Sequence, residues 1–159
     1  MKNLPELNLP PAFLKVNEEE GVLKIYDKLR DKWVVLTPEE WVRQNFVAWM
    51  IGTHHYPASL MANEIGVNVN GSTQRCDSVI FRSDGTPFVV MEFKAPNIAV
   101  TQNVFDQIVR YNMKLHADYL IVSNGMTHYC CKIDYKNNTY HFIPKIPDYN
   151  DIASGASQN

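Results

Sequence analysis

The stretch from Asp77 to Lys94 constrains this chain most, because two apolar runs flank a single tight turn. Ser-Val-Ile-Phe follows Asp77, Phe-Val-Val-Met precedes Glu92, and Ser83-Asp84-Gly85-Thr86 joins them. Asp-Gly between two such runs is a strong two-residue hairpin signal, since glycine accepts the positive φ that the turn needs. With Asp84 and Gly85 in the turn, Ser83 faces Thr86, and counting outward puts Asp77 opposite Glu92. Facing residues of a ladder share a sheet face, with Cβ atoms roughly 5 Å apart. Alternation adds Lys94 to that face, two positions beyond Glu92. Facing acids repel unless a cation lies between them. Paired carboxylates beside a lysine suit a divalent-metal site for phosphodiester chemistry.

The flanking segments supply helices for both faces of a sheet. Thr37-Pro38-Glu39-Glu40 opens a helix reaching about Ile51, with Thr37 as N-cap, Pro38 at the first helical position and Glu40 placed for a capping box. At about 100° per residue, Val42, Phe46, Trp49 and Met50 form its apolar face; Glu39 projects near the middle of that face and Glu40 lies well off it. An acid on the core side is costly unless it meets a metal or a donor. The competing reading is a first-turn acid that complements the helix dipole in solvent.

Glu64 to Val69 alternates as a strand, with Ile65, Val67 and Val69 on one face and Glu64 on the other, where a salt bridge or solvent suits it. Ala95-Pro96 closes the Glu92 strand. A helix from about Gln102 to Leu115 then carries a stripe of Val104, Ile108, Val109, Asn112 and Leu115, with Gln107 and Tyr111 one turn apart at its edge. Asp118 to Val122 reads as a buried strand. A strand, helix and strand unit implies parallel pairing, which lays it beside 88–94. Segments 22–26 with 33–36, and 127–133 with 139–143, read as further hairpins. The expected fold class is α/β, with a mixed central sheet flanked by helices and additional β-hairpins. One domain is expected over 13–149, between a proline-punctuated lead-in (1–12) and a flexible tail (150–159).

Cys76-Asp77, Glu92-Phe93-Lys94 and Gln107-x-x-x-Tyr111 together resemble the PD-(D/E)XK nuclease superfamily, and specifically the N-terminal nuclease domain of type I restriction enzyme R subunits. The family's proline before the aspartate is Cys76 here. The likeness extends, more weakly, from Thr37 to about Asp134. The resemblance implies a restriction-endonuclease-like fold and Mg²⁺-dependent hydrolysis of DNA, with Mn²⁺ able to substitute. Asp77, Glu92 and the backbone carbonyl of Phe93 would ligate the metal, and Lys94 would act on the attacking water. Glu39 would reach the site from the first helix, with Glu40 as the other candidate, and Gln107 and Tyr111 would position the lysine or the DNA backbone. Glu64 is a further candidate for a supporting role.

Composition narrows the function classes. The 159 residues suffice for one domain with a single core and contain no Gly-x-x-x-x-Gly-Lys-Ser/Thr phosphate loop. A formal charge of −2 argues against a general nucleic-acid coating protein, so DNA binding would need a local groove or a partner. Partners open at this point are DNA, a motor or specificity protein, and a second copy of the chain. No apolar run reads as a signal peptide or a membrane span, which makes cytoplasmic the expected location. The three cysteines are read as reduced, because a bridge between the neighbours Cys130 and Cys131 would be strained. His128, Cys130, Cys131 and His141 fit no usual zinc spacing, and His54 and His55 are expected in solvent. Two other readings stay open: a non-catalytic binding module in which Asp77, Lys94 and Glu92 form an ion network, and a subunit active only with a partner.

Overall fold

Residues 4–156 are described by a computed structural model of the chain. Its elements are β1 (Val16–Glu19), β2 (Val22–Asp27), β3 (Lys32–Val35), α1 (Pro38–Gly52), β4 (Met61–Val69), β5 (Ser72–Phe81), β6 (Pro87–Phe93), α2 (Gln102–Asn112), β7 (Tyr119–Ser123), β8 (His128–Asp134), β9 (Thr139–Ile143) and α3 (Tyr149–Ala156). A mixed six-stranded sheet runs in the order β4-β5-β6-β7-β8-β9, and β1-β2-β3 form a separate antiparallel sheet. Among the described residues only β6 and β7 pair in parallel, across the α2 crossover, as the strand, helix and strand pattern requires. Helix α1 covers one face of the large sheet through Val42, Phe46 and Met50, which meet Ile80, Met91 and Phe93. Helix α2 covers the other through Phe105 and Val109, which meet Val79, Val90 and Leu120.

The β5–β6 hairpin reaches the expected register by a different turn. Arg82 and Thr86 close a three-residue loop, Ser83-Asp84-Gly85, with Gly85 at φ +87°. Such a loop ends on a residue with positive φ, a role glycine fills without strain. One residue is thereby lost from the pairing. It is regained where Phe81 pairs Pro87 but Ile80 pairs Val89, leaving Phe88 unpaired with β5. Pro87 has no N–H to donate to the ladder, so an irregularity beside it costs little. From Ile80 inward the pairing is the one counted from the sequence, ending at Ser78 opposite Met91. Asp77 and Glu92 are the next facing positions.

The first and last of the described residues pack against the body of the fold. Leu7 and Leu9 pack against the α1-side core, and Asn8 joins Gly125 through a backbone hydrogen bond of 2.8 Å. Residues 149–156 form α3 instead of a frayed end, with Tyr149 and Ile152 against the same core. The rest of the expected tail, 157–159, lies outside the described residues. His54 is not in solvent either: its Nδ1 lies 2.6 Å from Asp148 Oδ1 and its ring meets Trp49 edge-on at 4.5 Å. All three cysteines are free and buried.

Candidate active site

Three structural devices bring the candidate residues together at one end of the sheet. The first is the end of the β5–β6 ladder. There Asp77 Oδ2 accepts from the Phe93 backbone N–H at 2.8 Å, so the aspartate side chain takes over where backbone pairing stops. A strand residue sends its N–H and C=O to the same edge, so the Phe93 carbonyl also leaves toward Asp77.

The second device is a slip in the alternation of β4 and β5. Val79 and Cys76 are three residues apart yet pack on the same face, against α2. Met61 packs on the α1 side, whereas Ile65, Val67 and Val69 pack on the α2 side. Strict period two forbids both patterns. The slip lies at Glu64, which sits at φ +50° at the register position facing Asp77. A non-glycine residue in this region is a local strain that persists where surrounding contacts hold it. The contacts here are ionic: Arg43 and Arg75 both donate to the Glu64 carboxylate, Arg75 at 3.1 Å.

The third device is an ion-pair chain that attaches the small sheet and α1 to the site. Asp27, 1% exposed, accepts from Arg30 and from Asn63 Nδ2 at 2.9 Å. Arg30 continues to Glu40 at 2.6 Å, Glu40 to Arg43, and Arg43 to Glu64. The expectation for the helix acids is thereby reversed in burial. Glu40 is the buried one at 7% and Glu39 is exposed. The capping box is only half formed for the same reason. Thr37 Oγ1 accepts from the Glu40 N–H at 3.0 Å, but the Glu40 carboxylate turns to the arginines, whose charges stabilise it more than a neutral N–H would. A helical wheel places residues relative to one face, whereas α1 is enclosed on most sides, with Arg43, Gln44 and Asn45 also buried.

Asp77, Glu92, Phe93, Lys94, Gln107 and Tyr111 line one cleft of about 360 Å³, together with Arg75, Ile108 and Asn112. An adjoining cleft of about 620 Å³ shares Arg75, Asp77 and Phe93 with it and adds Glu39, Glu40, Arg43 and Glu64. A more apolar groove of about 500 Å³ lies between residues 10–15 and α1 and contains none of these site residues. Gln107 is exposed and Tyr111 is 50% exposed at the cleft rim, with the Lys114 ammonium 5.5 Å from the Tyr111 ring. Lys94 is half-buried, and among the described residues it forms no ion pair with Asp77 or Glu92. The ion network considered from the sequence is therefore not how these three side chains are arranged.

Burial, and then the charge and hydrogen bonding of Asp77, push the Glu92 carboxyl from 4.5 up to about 9. Below that pH the folded protein holds a proton on Glu92, because its ionised form would lie buried beside a second carboxylate. Glu64 behaves oppositely. Burial alone would raise it, but Arg43 and Arg75 draw it below its ordinary value. Two adjacent carboxylates that cannot both ionise comfortably, beside a carbonyl edge, form an all-oxygen donor set of the kind that hard divalent cations take. Among the described residues no group of three or more His, Cys, Asp or Glu converges as a metal cluster.

Two residues at the site escaped the sequence reading. Arg75 lines both clefts, and its signal was only its position two residues before Asp77. Asn112 is 1% exposed and sits against Glu92. Its signal was legible, since it was the single polar residue in an apolar helix stripe.

Residues 38–147 match the family described as "Type I restriction enzyme R protein N terminus (HSDR_N)". Among solved structures, the fold is similar to a fragment of a protein described as an HsdR subunit of a type I restriction enzyme from Vibrio vulnificus YJ016. That similarity has a TM-score of 0.50 and 17% identity, and covers 76% of this chain and 26% of that one. The chain thus spans about a quarter of the length of that structure. No curated protein matches. No helix of the described residues is long and apolar enough to cross a membrane. The hairpin acids, the parallel β6–β7 crossover and the sequence match over 38–147 agree, and the chain belongs to the type I restriction enzyme R protein N-terminus family.

Proposed function

We propose that this chain is a Mg²⁺-dependent nuclease domain of the PD-(D/E)XK type that hydrolyses DNA phosphodiester bonds. The observation that carries the reading is the adjacency of Asp77 and Glu92 at the end of the β5–β6 ladder, in one cleft with an unpaired Lys94. Asp77, Glu92 and the Phe93 carbonyl would hold the cation, which, when bound, supplies Lewis acidity and neutralises phosphate charge.

The remaining work falls to the chain's own side chains. Lys94 is free of any carboxylate among the described residues; its ammonium N–H groups orient the attacking water and stabilise charge growing on the phosphate, and only its neutral amine form would take that water's proton. Glu39, exposed on the adjoining cleft, is placed to hold a water or a second cation, whereas Glu40 is committed to Arg30 and Arg43. Gln107 and Tyr111, at the rim, position the DNA backbone near the lysine. As an R-subunit domain the chain would act within an assembly whose other parts provide the motor and the DNA specificity. With a net charge of −2, it depends on those parts for affinity.

A calorimetric titration of Mn²⁺ into wild type, Asp77→Ala and Lys94→Ala, paired with plasmid cleavage in Mg²⁺ and in EDTA, tests the reading. Wild type and Lys94→Ala should bind Mn²⁺, Asp77→Ala should not, and only wild type should cleave. Equal Mn²⁺ binding by Asp77→Ala would remove the site.

A further inference from the structure

Asn112 is the last residue of α2 and is buried to 1% exposure at the floor of the cleft, directly after the exposed Tyr111. Nδ2 donates to the Ile108 carbonyl at 2.8 Å, and Oδ1 accepts from Gln74 Nε2 at 3.2 Å. The second N–H of Nδ2 is left over on the side of the Glu92 carboxylate, which lines the same cleft and whose charged form the amide favours. Gln74 is itself 2% exposed and lies on β5, three residues before Asp77.

An asparagine amide can turn over, exchanging its oxygen and nitrogen. Turned over, Asn112 would aim its oxygen at Glu92, and two acceptors would face each other in a buried place. The Ile108 carbonyl, which accepts from Nδ2, and the Gln74 N–H, which has an oxygen opposite it, together oppose this orientation. Gln74 pays with a buried Oε1 that has no partner. A buried amide oxygen left unsatisfied is costly and calls for a reason. The core needs no polar pair here, since Val109 and Leu115 on the same helix face are apolar.

Resting on the metal-site reading above, we propose that Asn112 is a positioning residue that fixes the Glu92 carboxylate for the cation, with Gln74 setting the direction of its amide. A hydrogen bond from its second N–H would hold one carboxylate lone pair and leave the others for the side of Asp77 and the cleft. Hydrogen bonds to a ligating carboxylate commonly change metal affinity by about 10- to 100-fold.

The test is Mn²⁺ calorimetry and metal-free thermal unfolding on wild type, Asn112→Ala, Gln74→Met and Gln107→Ala. Gln74→Met keeps the side-chain volume and removes both the donor and the orphaned oxygen. Asn112→Ala should weaken Mn²⁺ binding by roughly 10- to 100-fold. Gln74→Met should weaken it several-fold while melting as a folded protein, and Gln107→Ala should bind as wild type. If Asn112→Ala fails to fold, Gln74→Met carries the test alone. Wild-type affinity in a folded Gln74→Met and in Asn112→Ala would overturn the positioning role and leave the metal site standing. Absence of Mn²⁺ binding by wild type would instead overturn the metal site, and the positioning role with it.

Discussion

Removing the Glu92 charge should stabilise the metal-free protein, and increasingly so as pH rises. Glu92 has a folded-state pKa of about 9 against an ordinary 4.5, so between those values the folded protein holds a proton that the unfolded chain has released. Stability therefore falls as pH rises through this window, by at most about 1.4 kcal/mol per pH unit. Below pH 4.5 the penalty is absent, and above 9 it is complete. From pH 6.0 to 7.5 the ideal loss is about 2 kcal/mol, which water at the cleft rim reduces, so about 1 to 2 kcal/mol is expected. Glu92→Gln keeps the shape and cannot ionise, which should abolish this slope. In a domain of this size that corresponds to a lead in Tm over wild type that widens by roughly 2 to 8 °C between pH 6.0 and 7.5 and shrinks toward pH 5. Differential scanning fluorimetry in EDTA across pH 5 to 8 reads the effect. Parallel profiles for wild type and Glu92→Gln would refute the proton held on Glu92. Saturating Mn²⁺ should invert the ranking, because a cation compensates both charges in wild type alone.

The helix acids should separate cleanly. Glu40→Ala removes the carboxylate between half-buried Arg30, which keeps Asp27, and buried Arg43, which keeps Glu64, and should cost about 1 to 3 kcal/mol in urea unfolding, whereas exposed Glu39→Ala should cost under about 0.5 kcal/mol and register only in cleavage or metal binding. Gln107→Ala, at the rim, should change stability by well under about 1 kcal/mol and slow cleavage on the order of a hundredfold with metal binding intact. Tyr111→Phe keeps the ring and its contact with Lys114, so any loss in cleavage reports on the hydroxyl; early melting with normal cleavage per folded molecule would make both residues structural. DNA binding by the isolated chain should fade as salt rises with a shallow slope, measured by fluorescence anisotropy, since few phosphates can be contacted by a chain of net charge −2.

The sequence by itself determined what local rules govern. Apolar runs around Asp84-Gly85 made a hairpin, Thr37 and Pro38 opened α1, and the spacing of β6, α2 and β7 required a parallel crossover. The facing of Asp77 and Glu92 was legible because pairing register propagates residue by residue from a turn. The turn itself was misjudged by one residue, and the irregularity at Phe88 restored the count. Tertiary structure alone decided which charges are buried. Glu40 rather than Glu39 is enclosed because Arg30, ten residues earlier, folds back from the small sheet to meet it, and no helical period encodes a partner on another element. The slip at Glu64, the docking of Leu7 and of α3, and the place of Asn112 against Glu92 likewise arise from contacts between segments distant in the chain. Such contacts form only where the fold has already removed water, which is why Glu40, Glu64 and Glu92 could be named from the sequence but the partners that hold them could not.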